Sequence, residues 1–298
     1  MRKFKLKGTV AQKLMEFEQA DAREKGARPA GEPASESVCP EAKPDCSGLK
    51  VSWRTDTGKI RKSNQDAVIL ADGLFGIADG MGGHNGGETA SRGLRDGLVR
   101  ELQGKPASMQ GLEEAVRKVN LELWEQQEAD ASLTGMGTTL TAIWMAERDM
   151  LIAQVGDSRA YLLRNGEMKQ MTEDHSMVAD MVRRGILTED QAACHPMRNY
   201  ITRAVGTEDA IEVDLYCEER KKGDRWLICS DGLYSQITKT ALEEAAQTED
   251  PETAADRLLQ AALEGGGKDN ITLILMTDET EIETEAASDE TKTGEAEA

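Results

Sequence analysis

Hydrophobic and polar positions along this chain alternate between two rhythms. Val51 to Arg54, Ala67 to Leu70 and Leu74 to Ala78 are short apolar runs set between turn residues, the signature of strands. Helical spacing follows. Ala90, Leu94, Leu98 and Leu102 form one apolar stripe, and Leu112, Ala115, Val116, Val119 and Leu123 form a second. Strands return at Thr139 to Ala146, Leu151 to Val155 and Ala160 to Leu163. The pair Asn165-Gly166 then predicts a tight hairpin into Met168 to Met171. After an insert from Glu173 to about Val205, further strands are expected at Ile211 to Tyr216 and Trp226 to Cys229. A last helix is predicted from Pro251, capped by Asp250 and stopped at Gly265-Gly266-Gly267, before a buried strand at Ile271 to Met276. Hairpins dominate and the helices come in pairs. The expected class is therefore α+β, with antiparallel sheets covered by helices.

The two ends break this pattern. Residues 1–48 mix Lys, Glu, Ala and Pro, and residues 279–298 are mainly Glu, Thr and Ala. Neither stretch carries enough apolar surface to fold alone. We therefore expect a disordered N-terminal extension, a domain over residues 49–278 and an acidic disordered tail. Across 298 residues the formal net charge is −19, which argues against nucleic acid or an anionic membrane as partner. Five cysteines without Cys-x-x-Cys spacing point to reduced thiols, and no apolar run reaches the length of a membrane span. The expected product is a cytoplasmic protein. A phosphorylated substrate would need cations to supply the positive charge that the chain lacks.

Candidate chemistry concentrates at strand ends. Leu74 to Ala78 runs into Asp79 and then a glycine-rich turn, Gly80-Met81-Gly82-Gly83-His84-Asn85-Gly86-Gly87, which lacks the third glycine of a dinucleotide fingerprint. Asp66 precedes a strand, Asp157 and Asp231 each end one, and Asp269 lies just before the last. Carboxylates converging without a matching basic cluster repel one another unless hard cations neutralise them. Oxygen ligation of this kind suits Mg²⁺ or Mn²⁺.

The motifs occur in a definite order: Arg61 to Asp66, Ala78 to His84, Gly137-Thr138-Thr139, Val155 to Arg159, Thr172 to Ser176, Ser230 to Leu233, and Lys268-Asp269-Asn270. This series resembles the metal-dependent type 2C serine/threonine protein phosphatases in their bacterial branch, over about residues 49 to 278. The resemblance implies two central antiparallel sheets packed as a sandwich with helices on both outer faces. It also implies hydrolysis of phosphoserine and phosphothreonine monoesters by a water activated between two Mn²⁺ or Mg²⁺ ions. By that resemblance Asp79 bridges the ions, the Gly80 carbonyl helps to bind one, and Asp231 and Asp269 hold the other. Arg61 would grip the phosphate, Asp66 would orient metal-bound water, and Asp157 would belong to a third metal site.

Three positions depart from the family pattern: Met81 replaces a histidine found in animal members, Gln65 a glutamate, and Ser235 an aspartate often found after the Asp231 motif. The general acid is thereby left open between His84 and a metal-bound water. The occupancy of the third site stays open as well. The implied partners are phosphorylated proteins and a serine/threonine kinase, with the enzyme a monomer. Two other readings are a catalytically silent scaffold that binds phosphoproteins and a phosphatase dedicated to one regulatory protein.

Overall fold

A computed structural model describes residues 48–71, 73–82 and 86–280. The extension before Gly48, the tail beyond Thr280 and His84 lie outside the described residues. In chain order the strands are β1 (Leu49–Asp56), β2 (Asp66–Ala71), β3 (Leu74–Met81), β4 (Gly137–Thr138), β5 (Leu140–Met145), β6 (Asp149–Val155), β7 (Arg159–Arg164), β8 (Glu167–Gln170), β9 (Asp214–Glu219), β10 (Arg225–Cys229) and β11 (Ile271–Asp278). The helices are α1 (Gly86–Leu102), α2 (Met109–Ala129), α3 (Met177–Arg183), α4 (Glu189–Ala193), α5 (Asp231–Tyr234), α6 (Lys239–Ala246) and α7 (Pro251–Glu264).

Two antiparallel sheets form, with strand orders β1-β11-β10-β7-β8 and β2-β3-β5-β6-β9, and β4 pairs with β3 off this path. The period-two alternation of side chains decides what each strand buries on either face. Phe75, Ile77, Ile143 and Ile152 of one sheet meet Leu162, Trp226, Ile228 and Ile274 of the other in the sandwich interior. Their sequence neighbours point the opposite way. Leu74, Ala78, Ala142 and Ala153 pack under the apolar stripes of α1 and α2. Leu227, Leu273 and Leu275 pack under α6 and α7, through Leu242, Leu258 and Ala262. The expected architecture is therefore the observed one.

Two boundaries differ from the sequence pattern. The strand expected at Ile211 to Tyr216 pairs with β6 only from Asp214, opposite Gln154, and continues to Glu219. It is an edge strand with polar outer positions, so apolar periodicity marks its approach better than its ladder. The helices α5 and α6 carried no periodic signal, because they span only four and eight residues. The Asn165-Gly166 hairpin is as expected, with both residues at positive φ, 54° and 82°. The α7 cap holds too: the Asp250 carboxylate accepts from the Thr253 amide at 2.9 Å.

Candidate active site

The alternation that builds the core also aims the aspartates. Asp66 and Asp79 are cross-strand partners on β2 and β3. Each continues the row of residues that faces the sandwich interior (Val68 on one strand, Phe75 and Ile77 on the other), so both carboxylates emerge between the sheets at one end. Asp231 follows β10 and Asp269 precedes β11, two paired strands of the opposite sheet, so both arrive at that same end. Asp157 sits in the turn from β6 to β7 and is buried. All the sequence-predicted carboxylates thus meet in one cleft, and Arg61 reaches in from the loop between β1 and β2, its guanidinium donating to Asp269 Oδ2 at 2.8 Å.

Glycines let these segments come this close. A Cβ on Gly80 would lie 2.1 Å from the Gly87 carbonyl oxygen and 2.6 Å from that of Gln65. One on Gly232 would lie 1.9 Å from the Asn270 carbonyl oxygen. Each glycine after a site aspartate therefore admits the backbone of a neighbouring motif. Direct approach of β3 to the start of α1 explains much of the glycine-rich stretch, with no phosphate required.

A network of hydrogen bonds fixes the carboxylate-bearing backbone. Thr139 Oγ1 accepts from the Asp79 amide at 3.0 Å, and the Thr139 amide donates to the Asp79 carbonyl at 2.9 Å. Thr139 Oγ1 also lies 2.8 Å from Ser158 Oγ, beside Asp157. Ser230 Oγ donates to Asp66 Oδ2 at 2.9 Å and accepts from the Thr272 amide at 3.0 Å. Asn270 ties three segments together: its Oδ1 accepts from the Gln65 amide at 2.8 Å, while its Nδ2 donates to the Thr57 and Ser63 carbonyls at 3.0 and 2.9 Å. Thr139, Ser158, Ser230 and Asn270 all fall inside the motif series. Thr272 does not; its amide holds Ser230 Oγ and its side chain faces the Asp66 carboxylate.

Electrostatically the cleft is strained. Burial, then Asp66, Asp231, Asp269 and Asp157 in turn, push the Asp79 carboxyl well above the usual carboxylate range. Burial and then Asp157, Asp269 and Asp66 do the same to Asp231. Burial lifts Asp66 to about 6 against hydrogen bonds from Thr272 and Ser230, and burial with Asp174 lifts Asp157 to about 7. The strongest carboxylate neighbour of Asp79 is Asp66 and that of Asp231 is Asp157. Every one of these carboxylates thus feels several of the others.

These residues fit divalent cations. Asp66 Oδ1 is buried and has no hydrogen-bond partner among the described residues, an acceptor open to a water or an ion. Among the same residues, Arg61 on Asp269 is the one ion pair to any of the five aspartates. At the far end of the sandwich, by contrast, each buried carboxylate meets an arginine: Asp278 pairs with Arg220 at 2.9 Å and Asp224 with Arg164 at 2.7 Å. Among the described residues no three His, Cys, Asp or Glu side chains are already gathered to enclose an ion. A hard cation that keeps several waters can span carboxylates so spaced.

Beside the cleft, Arg159 forks onto Asp174 at 2.7–3.1 Å, donates to Tyr161 Oη at 3.1 Å and stacks 3.7 Å over the Tyr234 ring. Tyr234 in turn donates to the Asp157 carbonyl at 3.1 Å. His175 is buried, and its Nδ1 accepts from the Gly156 amide at 3.0 Å. Of the three departures, Met81 ends β3 against Gly137, Gln65 packs on Gly87, and Ser235 is exposed at the end of α5.

Comparison with known proteins agrees with this arrangement. The family model described as protein phosphatase 2C matches residues 59–265. Serine/threonine protein phosphatase PstP of Mycobacterium tuberculosis is 40% identical over 229 residues, covering 76% of this chain and 44% of the relative, so the chain spans less than half of that protein. The serine/threonine phosphatase stp of Listeria monocytogenes is 36% identical over 241 residues, covering 76% of this chain and 95% of that one. The crystal structure of the PstP catalytic domain in complex with two manganese ions superposes with a TM-score of 0.72 at 38% identity, covering 77% of this chain and 97% of that one. Cleft, fold and relatives agree: the chain belongs to the protein phosphatase 2C family.

Proposed function

We propose that the chain hydrolyses phosphoserine and phosphothreonine monoesters in proteins, using two Mn²⁺ or Mg²⁺ ions. The observation that carries this reading is the convergence of five aspartates on one cleft, with a buried Asp66 oxygen that has no hydrogen-bond partner among the described residues. Asp79, Asp231 and Asp269 are the proposed metal-holding carboxylates. The Gly80 carbonyl is the next backbone acceptor after Asp79, and Asp157 is assigned to a third site beside Asp231. When bound, the ions offset the carboxylate repulsion and supply Lewis acidity toward the water nucleophile and the phosphoryl oxygens.

The remaining work falls to the protein. Arg61, half exposed at the mouth, offers a planar fork of donors to the incoming phosphate and releases Asp269 to do so. Asp66, held at Oδ2 by Ser230, leaves Oδ1 to accept a hydrogen bond from the attacking water and so aims it at phosphorus. Thr139 and Ser158 fix the backbone from which Asp79 and Asp157 project. Phosphorylated proteins are the proposed substrates and an opposing serine/threonine kinase the proposed counterpart, with the enzyme acting as a cytoplasmic monomer. Among the described residues no helix is long and apolar enough to cross a membrane. The domain boundaries at residues 49 and 278 remain part of the same reading.

The test is phosphate release from a phosphothreonine peptide with and without Mn²⁺, for the intact chain and for Asp231→Asn. Release that requires metal and collapses in the variant supports the reading. A folded, Mn²⁺-binding protein that releases no phosphate overturns it in favour of a phosphoprotein-binding scaffold.

A further inference from the structure

The loop that delivers Arg61 carries more than Arg61. Its sequence is Thr57-Gly58-Lys59-Ile60-Arg61-Lys62-Ser63, and Lys59 through Ser63 are all exposed. The loop is not loose. The Lys59 amide donates to the Gly267 carbonyl at 2.7 Å, and Asn270 Nδ2 holds both of its ends through the Thr57 and Ser63 carbonyls. Gly58, at φ +76°, lies so close to the Asp269 carbonyl oxygen that a Cβ would sit 2.2 Å away. The loop is therefore a fixed lip on the segment that bears Asp269.

Two features of this lip are at odds with a passive surface. Ile60 is 61% exposed, and only Ile186 among the large apolar side chains of the described residues is as exposed. It stands between cations in a chain of net charge −19. Among the described residues neither Lys59 nor Lys62 has an ion-pair partner, and nor does Lys268 on the adjoining turn. Some cations elsewhere are paired, as in Arg54–Asp256, Arg100–Glu122 and Lys118–Glu101, while Lys105, Lys169 and Lys239 have no ion pair among the described residues, so it is the grouping of Lys59, Lys62 and Lys268 around Arg61 that marks the rim. Three lysines with no ion pair among the described residues, one exposed isoleucine and a phosphate-directed arginine thus share one rim. Charge complementarity names the occupant: a segment with acidic side chains around the phosphorylated residue and an apolar side chain beside it.

We infer that the lip formed by Lys59, Ile60 and Lys62 is a substrate-docking surface that selects phosphorylated segments with acidic and apolar residues flanking the phosphate. The inference rests on the proposed phosphatase reading and deepens it. Lys59 and Lys62 meet the acidic flanks, Ile60 covers the apolar neighbour, and Arg61 between them takes the phosphate. Exposed ion pairs of this kind are each worth about a two- to fivefold effect, so two of them yield about tenfold discrimination. Salt should erode it, because screening acts over about 10 Å at 0.1 M ionic strength.

The experiment uses the full chain, Lys59→Glu/Lys62→Glu and Ile60→Ser in Mn²⁺ buffer, with two readouts. Turnover is measured on a small aryl phosphate, on a phosphothreonine peptide flanked by Glu and Leu, and on one flanked by Lys and Ser. Binding is measured by fluorescence anisotropy with phosphonate versions of the two peptides. Expected is about a tenfold preference for the acidic peptide in kcat/KM and in Kd, weakened by salt and abolished or inverted in the double lysine variant. Ile60→Ser should lose severalfold on that peptide alone, and aryl phosphate turnover should be unchanged throughout. Equal preference in the parent and the lysine variant overturns the inference. So does competition by an unphosphorylated peptide of residues 281–298 as strong as that of the acidic phosphonate, which would give the lip to the chain's own acidic end. Absent turnover on every substrate with the binding preference intact would sink the phosphatase reading while leaving the docking surface standing.

Discussion

Arg61 and His175 show how differently single residues register in a sequence. Arg61 stands five positions before Asp66 in the motif series, and the structure brings its guanidinium to the cleft through Asp269. If it binds phosphate, Arg61→Ala removes charged hydrogen bonds worth about 1.5–3 kcal/mol and should lower kcat/KM by about ten- to a hundredfold. Arg61→Lys should recover only part, lacking the fork. A circular dichroism melt within a degree or two of the parent would show that the loss is local. The place of His175 in the network, by contrast, was out of reach of sequence reasoning. Its neighbour is the amide of Gly156, and nothing in the residue types says which ring nitrogen faces it. Because that amide donates to Nδ1, the proton of the neutral ring is on Nε2, 3.2 Å from Asp214 Oδ2. Burial holds the imidazole pKa below its ordinary value, with Arg203 acting in the same direction and Asp214 opposing. Below about pH 6.5 the unfolded chain therefore takes up a proton that the folded chain resists, and stability falls as pH drops through that range. Urea midpoints at pH 7.5 and 5.5 should drop more for the parent than for His175→Asn, which keeps an acceptor but cannot titrate. An equal drop would remove His175 from the account.

At the scale of elements, the strands and long helices were legible because their cores are periodic. Phe75 and Ile77 face one way, Leu74 and Ala78 the other, and the alternation carries on into Asp79. What escaped was short or depended on backbone contact. The two-residue β4 exists because Gly80 and Met81 pair with Thr138 and Gly137, and α5 is a single turn. The glycines belong to this class as well. They were legible as a turn, but the sequence does not say which backbone each one admits. Gly80→Ala would drive a methyl into two carbonyl oxygens, and Gly93→Ala into only the terminal methyl of Leu123, which can swing away. The first should cost about 3 kcal/mol or more of stability together with metal binding. The second should be near neutral, because alanine recovers about 1 kcal/mol of helix propensity. Chemical denaturation of the two variants side by side measures this contrast. Similar losses in both would mean that β3 and α1 can separate freely.

Over the whole molecule the informative quantity is the distribution of charge, which a net figure of −19 conceals. Asp278 and Asp224 at one end of the sandwich are neutralised by Arg220 and Arg164, so that end is complete without help. The opposite end gathers five aspartates around one guanidinium, and folding it without cations stores repulsion. The consequence for the metal-free protein has a definite sign. Asp66 and Asp157 titrate at about 6 and about 7 when folded but near the ordinary 3.8 when unfolded. Between those values the folded chain keeps protons that the unfolded chain has released, so stability of the chelated protein decreases as pH rises from about 4 to 7. Divalent ions compete for the same carboxylates, and their stabilising effect should therefore grow over the same window. At Mn²⁺ about a hundredfold above its Kd the gain at pH 8 should approach 2.7 kcal/mol, or roughly 5–10 °C in Tm for a domain of this size. At pH 5, where protons already occupy part of the cluster, the gain should shrink to a degree or two. Thermal melts in Mn²⁺ and in chelator at both pH values test this. A shift of the same size at pH 5 and pH 8 would mean that the ions bind somewhere other than among these aspartates, and the proposed site would have to be abandoned.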